Sequence, residues 1–314
     1  MKSYEAVAYT MQGLVKYHGL KDWKLRLPYH DSISVNTSVM KTEATISDAG
    51  GGIFIDGEPN ASANERFDEV VRRLDPSSRY DDFRVDSQNS PKGKPKGIGY
   101  SSSAGAALAI LAQVMIKGEV GDLKDLSRVA RLFAASASRS LVGGFSRLYA
   151  SGGDEGSYAE RFADDKVMDL RMVIVPLTSP VRTEDAHREV LTSPFFKARI
   201  ETAQRRCDEV EKAILGNDLK SLGVLVERDT MELHALTMTG DNRVLIMTED
   251  TIRILRLVKS LRENGADAYF SMQTGPSVFV NTSEKDQTLV FDAISKLGFR
   301  AYLSGVGGQA HLVE

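Results

Sequence analysis

The stretch from Gly97 to Lys117, GIGYSSSAGAALAILAQVMIK, constrains the possible folds of this chain most strongly. Glycines and three consecutive serines precede an apolar run with helical spacing, which predicts a loop followed by a helix. Backbone N–H groups at the start of such a helix are unobstructed and lie at the positive end of its dipole, where phosphate binds well. A tight turn and a close-packed helix without any ligand would have the same composition, so this stretch alone leaves both interpretations open.

Length and composition limit the class of protein. A chain of 314 residues can form one large domain or two closely packed ones, and 42% apolar with 26% charged residues is ordinary for a globular protein. No apolar run approaches about 18 residues and the N-terminal segment is polar, which predicts a cytoplasmic protein. The net charge of −3 disfavours nucleic acid as a partner, so a polyanionic ligand requires locally gathered positive charge. Cys207 is the only cysteine, which excludes a disulfide framework.

The first half is predicted to begin as a β-rich layer. Residues 25–55 contain strand-like pieces, and Asp56-Gly57 is typical of a hairpin turn. Residues 63–74 predict a solvent-facing helix, and residues 87–96 predict a loop rich in proline, glycine and lysine.

A second helix is predicted over residues 123–137, followed by the segment SASRSLVGG. Arg139 lies there among serines, and the pair Gly143-Gly144 is expected to end the helix. A guanidinium in such a setting fits the oxygens of a phosphate or a carboxylate, although an ordinary surface arginine also accounts for the pattern.

The second half has the pattern of an α+β domain. The apolar run 170–177 predicts a buried strand, and 195–214 predicts an amphipathic helix whose charges we interpret as solvation. The order strand, helices, strand, strand, helix, strand predicts a β-α-β-β-α-β unit with antiparallel pairing. Its later elements are predicted as helices over 219–236 and 251–264, strands over 268–272 and 278–280, a helix over 284–297 capped by Ser283, and a strand over 299–303.

Six short segments, in order, resemble one family. These are KYHG at 16–19, LPYHDSISV at 27–35, the Gly/Ser stretch at 97–107, SASRSLVGG at 136–144, TSPFF at 192–196 and AYFSMQTGPSVFV at 268–280. Together they resemble the mevalonate-pathway decarboxylases of the GHMP kinase superfamily over nearly the whole chain. The likeness is strongest to archaeal phosphomevalonate decarboxylases, in QGLVKYHG and LRLPYHDSISV.

The resemblance implies an α+β protein with the GHMP kinase fold. It implies an N-terminal β-rich α/β domain (ribosomal protein S5-like) over residues 1–168, a C-terminal ferredoxin-like domain over residues 169–314, a cleft between them and a homodimer. Family members phosphorylate the 3-hydroxyl of a mevalonate derivative with ATP, and then expel that phosphate together with carbon dioxide. The second step requires positive groups that stabilise the departing phosphate and orient the carboxylate.

The resemblance also assigns roles to individual residues. Lys16 and Arg139 match the family's catalytic lysine and arginine. Tyr17, Ser136 and Ser193 match positions that contact the substrate's phosphate chain. Ser101, Ser102 and Ser103 match the serines of the phosphate loop. Asp229 and His234 lie in a further similar segment, RDTMELHALTMTG, to which we assign a structural role.

Four positions depart from the family's pattern. Gln273-Thr274 replaces the aspartate-containing turn that orients or deprotonates the 3-hydroxyl, and a glutamine cannot accept that proton. Leu20 stands where diphosphate-using members have a lysine, which favours a 5-monophosphate substrate. Tyr100 replaces a small residue of the phosphate loop, where a phenol ring is expected to crowd a triphosphate.

These departures favour an enzyme that has lost the kinase step. It would take mevalonate 3,5-bisphosphate and eliminate phosphate and carbon dioxide to give isopentenyl phosphate, with no nucleotide and no metal. The alternative is a phosphomevalonate decarboxylase that uses ATP and Mg, because proton removal can come late in phosphoryl transfer. A third interpretation is a non-catalytic protein that binds an isoprenoid phosphate, although retention of Lys16 and Arg139 argues against it.

Overall fold

The computed structural model describes residues 2–93 and 95–313. The strands are β1 Ser3–Val15, β2 Leu20–Asp22, β3 Leu27–Pro28, β4 Ser32–Ser47, β5 Gly52–Ile55, β6 Glu58–Pro59, β7 Arg84–Ser90, β8 Phe145–Leu148, β9 Ala159–Ala163, β10 Arg171–Val175, β11 Tyr269–Met272, β12 Val278–Thr282, β13 Tyr302–Ser304 and β14 His311–Leu312. The α-helices are α1 Ala61–Leu74, α2 Tyr100–Lys117, α3 Leu123–Phe133, α4 Ala137–Val142, α5 Thr183–Glu189, α6 Phe196–Leu215, α7 Leu219–Thr239, α8 Glu249–Glu263 and α9 Gln287–Lys296. Two short 3₁₀-helices cover Tyr80–Asp82 and Val190–Thr192.

The described part of the first half contains the predicted β-rich layer. Its strands follow the order β14-β1-β4-β7-β5-β6, and β8 and β9 extend from β4. The Asp56-Gly57 hairpin is confirmed, because β5 pairs with β6 across these two positive-φ residues. The loop predicted at residues 87–96 is wrong for residues 87–90, which continue β7 and pair with β4. The polar sequence SQNS hid this strand, since only the backbone ladder and the buried Ser87 mark it.

Helices α1 to α4 cover one face of this sheet. The helix predicted from Gly97 to Lys117 is confirmed as α2, which begins at Tyr100. Helix α1 is not wholly solvent-facing as predicted, because Phe67, Val70 and Val71 are fully buried against the core. The helix expected over 123–137 is two helices, α3 and α4, and the second ends at Gly143 as predicted.

The second sheet has the strand order β11-β12-β10-β13 with antiparallel pairing throughout. This is the predicted β-α-β-β-α-β unit, whose strands in chain order are β10, β11, β12 and β13. The predicted cap Ser283 is wrong, since α9 begins after Asp286 and residues 283–286 form a turn.

A shared core joins the two halves. Strand β14 returns from the C-terminal end of the chain to pair with β1, so the first sheet includes residues from both ends of the sequence. The division at residue 168 therefore stays a prediction. No helix in the described ranges has the length and apolarity needed to cross a membrane. Buried side chains from both halves meet in one cluster, which includes Leu14, Ile33, Phe145, Met172, Val226 and Phe279.

Candidate active site

Lys16 directly follows β1 and is buried, with only 5% of its surface exposed. Its Nζ donates to Thr230 Oγ1 at 2.9 Å and lies 3.3 Å from Asp229 Oδ2. The backbone N–H of Lys16 also donates to Asp229 Oδ2, at 3.1 Å. Burial lowers the pKa of Lys16 to about 8, although the attraction of Asp229 opposes this shift. Lys16 is thus held in place through both its side chain and its backbone.

Asp229 is fully buried on α7 and accepts from cationic groups on another helix. Its Oδ1 accepts from Arg199 Nη2 at 2.6 Å and from Arg206 Nη1 at 3.4 Å. Burial by itself would raise the pKa of Asp229, but Arg199 and Lys16 hold it at about 2. The carboxylate therefore stays charged, and its structural role includes direct contact with Lys16.

The interpretation of the α6 charges as solvation is wrong for Arg199 and Arg206. Each is only 4% exposed, and both donate to Glu232 as well as to Asp229. Their spacing of seven residues, on the same face as the buried Ala203 and Val210, is the signal that places them inward. The helical pattern of apolar residues does not reveal them, because charged residues are usually exposed.

Arg139 on α4 is 1% exposed, so it is not a surface arginine. Within the described residues its Nε and Nη1 have no hydrogen-bond partner, and the ring of Tyr17 lies 5.5 Å from its guanidinium carbon. Burial lowers its pKa to about 10, which still leaves it charged at neutral pH. A buried guanidinium without a carboxylate is costly, and an anionic ligand would offset that cost.

The segment after Lys16 packs against α5. The ring of Tyr17 stacks on His187 at 5.4 Å, and the backbone N–H of Gly19 donates to His187 Nδ1 at 3.0 Å. His18 Nε2 is 3.1 Å from the hydroxyl of Thr274, one of the predicted altered positions. Leu20, another altered position, is buried in a small apolar cluster with Ala135, Val142, Leu148 and Ala159.

The predicted phosphate loop, residues 97–107, begins with glycines that lie close to β1 and to the turn after β11. Gly97 and Gly99 both have positive φ, at 83° and 91°. A Cβ on Gly99 would lie 2.8 Å from the carbonyl oxygen of Met11, and one on Gly97 would lie 2.9 Å from Gly275 Cα. Glycine is therefore required at both positions by conformation and by close approach.

The predicted serines separate into different surroundings. Ser102 Oγ donates to Ser136 Oγ at 2.6 Å, which brings together two predicted substrate-binding residues. Ser103 Oγ is 2.6 Å from Thr42 Oγ1 in the buried layer, whereas Ser101 is exposed at the first turn of α2. Ser193 is hydrogen-bonded to Thr239 Oγ1 at 2.7 Å, at the end of α7.

Two of the altered positions have contacts of their own. Gln273 Nε2 donates to Met11 O at 2.9 Å and to Gly97 O at 3.3 Å, so it ties the phosphate loop to β1. The hydroxyl of Tyr100 donates to the carbonyl of Pro91, and its ring packs against the shared core. Burial raises the pKa of Tyr100 to about 12.

In residues 2–93 and 95–313, no group of three or more His, Cys, Asp and Glu side chains is arranged to hold a metal ion. The start of α2 is joined to the segment before α4 by the hydrogen bond from Ser102 to Ser136, and Arg139 on α4 faces the ring of Tyr17, the residue after Lys16. The site thus contains a helix N-terminus and two buried cations from different elements. Such a site suits a phosphorylated, carboxylated ligand, because phosphate binds at helix N-termini and the cations attract anionic groups.

Comparisons with known proteins confirm the predicted family and fold. The family models described as "Diphosphomevalonate decarboxylase-like N-terminal domain" and "Mevalonate 5-diphosphate decarboxylase C-terminal domain" match residues 8–159 and 181–301. The chain is 35% identical to the phosphomevalonate decarboxylase of Haloferax volcanii, over 98% of this chain and 97% of that protein. It is 26% identical to the mevalonate 3,5-bisphosphate decarboxylase of Thermoplasma volcanium, over 88% and 76%.

A solved structure gives the same result in three dimensions. The mevalonate diphosphate decarboxylase of Enterococcus faecalis, described with a mechanism of ATP binding mediated by mevalonate diphosphate, superposes with a TM-score of 0.90 at 26% identity, over 99% of both chains. The fold together with these similarities thus defines a carboxy-lyase with a GHMP kinase fold. The chain belongs to the mevalonate diphosphate decarboxylase family, and it is a decarboxylase of the mevalonate pathway of isoprenoid biosynthesis.

Proposed function

We propose that this protein is an ATP-dependent phosphomevalonate decarboxylase. The reaction takes mevalonate 5-phosphate and ATP to isopentenyl phosphate, ADP, phosphate and carbon dioxide. The observation that carries this proposal is the 35% identity to a phosphomevalonate decarboxylase over nearly the full length of both chains. The bisphosphate decarboxylase has 26% identity, and the match covers 76% of its length.

The two buried cations suit the elimination step. Loss of the 3-phosphate and of the carboxylate places negative charge on the leaving phosphate, and fixed cations in a water-poor site stabilise such charge strongly. Arg139 offers unpartnered N–H groups for that phosphate or for the carboxylate. Lys16 supplies a second positive charge, held by Asp229 and Thr230.

The start of α2 fits a nucleotide phosphate chain. The glycines Gly97 and Gly99 bring the backbone close to β1 and leave no side chain over the loop. Helix geometry leaves the N–H groups of Tyr100 and Ser101 without intrahelical acceptors, whereas Ser102 N–H donates to the Gly99 carbonyl at 2.9 Å; Ser101 is also exposed. ATP with magnesium would supply the phosphoryl group that turns the 3-hydroxyl into a leaving group.

The positions that suggested a lost kinase step have structural contacts. Gln273 supports the phosphate loop through its bond to the Gly97 carbonyl, which preserves the loop without a carboxylate. Tyr100 is fixed by Pro91, so its hydroxyl is engaged away from the loop glycines. Phosphoryl transfer relies on positioning and charge, and a strong base is not required early in it.

A second candidate is the nucleotide-free elimination from mevalonate 3,5-bisphosphate. The observation that favours it is Gln273, because an amide cannot accept the proton of the 3-hydroxyl, whereas the bisphosphate has no such proton to lose. Arg139 and Lys16 would serve the same elimination in this reaction.

The deciding experiment follows product formation by the purified protein. Mevalonate 5-phosphate with Mg-ATP should give isopentenyl phosphate and one ADP per turnover, and mevalonate 5-diphosphate should react more slowly because buried Leu20 carries no charge for a distal phosphate. Turnover only of mevalonate 3,5-bisphosphate, without nucleotide, would replace the first proposal by the second. Absence of turnover with all three compounds would exclude both. Light scattering on the same sample tests the predicted homodimer.

A further inference from the structure

One carboxylate from the other half of the chain, that of Asp229, contacts both the backbone and the side chain of Lys16. Asp229 Oδ2 receives both the backbone N–H of Lys16, at 3.1 Å, and its ammonium, at 3.3 Å. Arg199 bridges the two residues, since its Nη2 donates to the Lys16 carbonyl at 3.0 Å and to Asp229 Oδ1 at 2.6 Å. The position and the charge of Lys16 therefore depend on the same residue.

The charged and titratable groups that face Lys16 lie on two helices. Helix α7 contributes Asp229 and His234, and α6 contributes Arg199 and Arg206. Glu232 balances the two arginines from a partly exposed position. Because Asp229 is shared among three cations, it stabilises the Lys16 ammonium without cancelling the positive charge of the site.

We propose that Asp229 is a positioning residue that fixes the Lys16 ammonium and keeps it protonated at neutral pH. This inference rests on the proposed role of Lys16 in the reaction. A buried lysine without a carboxylate loses its proton readily, and a neutral amine would no longer stabilise a leaving phosphate. The positive charges of Arg199 and Arg206 favour loss of the Lys16 proton, whereas the negative charge of Asp229 opposes it. The protonation of Lys16 therefore depends on the balance between these groups.

The test is the pH profile of kcat/KM for Asp229→Asn. This substitution keeps the size of the side chain and removes its charge, so the basic limb of the profile should move to lower pH by about one unit or more. Since the pKa of Lys16 is about 8, a shift of one unit should lower activity at pH 7 by about 2-fold and a shift of two units by about 10-fold, and activity should recover at lower pH, where Lys16 is protonated again. A merely structural role would lower activity at every pH and leave the limb where it is, which would overturn the proposal.

Glu232→Gln is the matched control. Glu232 bonds with the same two arginines, on the same helix, but its contacts do not include Lys16 in the part of the chain that the structure describes. Its removal should shift the basic limb by less than a third of the shift in Asp229→Asn. An equal shift in both variants would mean that the net charge of the cluster, and not direct contact with Asp229, controls the protonation of Lys16.

A readout independent of turnover separates this proposal from the proposed function. In protein labelled with ¹³C-lysine, the Lys16 signal, assigned by its loss in Lys16→Arg, should titrate at lower pH in Asp229→Asn than in the wild type. This result would stand even if no mevalonate derivative were turned over. If Asp229→Asn does not fold, Arg206→Met provides the test with opposite sign, because loss of this cation should raise the titration point; an unchanged titration would contradict the proposal.

Discussion

Lys16 and Arg139 are two buried cations with opposite surroundings. Lys16 has a carboxylate, a hydroxyl and an arginine arranged around it, whereas Arg139 has the ring of Tyr17 and no hydrogen bond to its Nε or Nη1 within the described residues. The first is stabilised by the protein itself. Burial of the Arg139 guanidinium costs desolvation free energy that its protein neighbours do not offset. An anionic ligand would offset this cost. We infer that the protein alone positions Lys16, whereas Arg139 gains its hydrogen-bond partners when the substrate binds.

Arg139→Ala should give the largest effect on catalysis. We expect kcat/KM to fall by about 10³-fold or more, because a donor to the leaving phosphate is lost in the transition state. The Tm should not fall, since no carboxylate in the described part of the chain loses its partner. Steady-state kinetics and thermal unfolding on the same preparation measure both.

The control for Arg139→Ala is Arg131→Ala, which removes an equally buried arginine that is paired with Asp154. This variant should lose stability and keep its kcat/KM within a few-fold. Near-normal turnover of Arg139→Ala would contradict the role assigned to Arg139.

Lys16→Met should have a smaller effect, about 10²-fold on kcat/KM, because Arg139 remains to bind the departing phosphate. The fold should persist, since Asp229 keeps both of its arginines. Comparison of kcat and KM shows whether the loss occurs in the transition state or in substrate binding. A loss as large as that of Arg139→Ala would remove the distinction between the two cations.

Gln273→Glu tests whether this position supports the loop or supplies a base. The carboxylate cannot donate to the carbonyls of Met11 and Gly97, so the phosphate loop should loosen and kcat/KM should fall by about 10-fold. The KM for ATP should account for most of the change. A gain in kcat would instead show that a carboxylate at residue 273 restores a missing base.

The buried histidines, unlike Lys16 and Arg139, are expected to make the stability of the fold depend on pH below 7. Burial lowers the pKa of His30 and of His187 to about 4, and that of His234 to about 3, so all three are neutral in the folded protein. In the unfolded chain these histidines have a pKa of about 6.5, so they bind protons there at a pH at which the folded protein does not. Their contribution to the free energy of unfolding is therefore complete above about pH 6.5 and is lost as the pH falls towards 4. The Tm should therefore decrease between pH 7 and pH 5.

His187→Gln should weaken the dependence of the Tm on pH, whereas substitution of the exposed His311 should leave it unchanged. A Tm that is constant from pH 7 to pH 5 would show that the buried histidines do not control acid stability.

Local pattern alone predicted much of this fold. Apolar spacing and glycines placed α2 and the end of α4, and the order of elements in the second half predicted the antiparallel sheet of β10 to β13. The six motifs predicted the family, and two of them contain Lys16 and Arg139.

Only the tertiary structure decided what surrounds these residues. Lys16 and Asp229 are 213 positions apart, and Gln273 bonds with Met11 across 262 positions. Periodicity reports which face of one helix or strand is apolar, but a pairing between distant elements leaves no local pattern in a single sequence. For the same reason the sequence predicts solvated side chains for Arg199 and Arg206, although a carboxylate on another helix makes their burial possible.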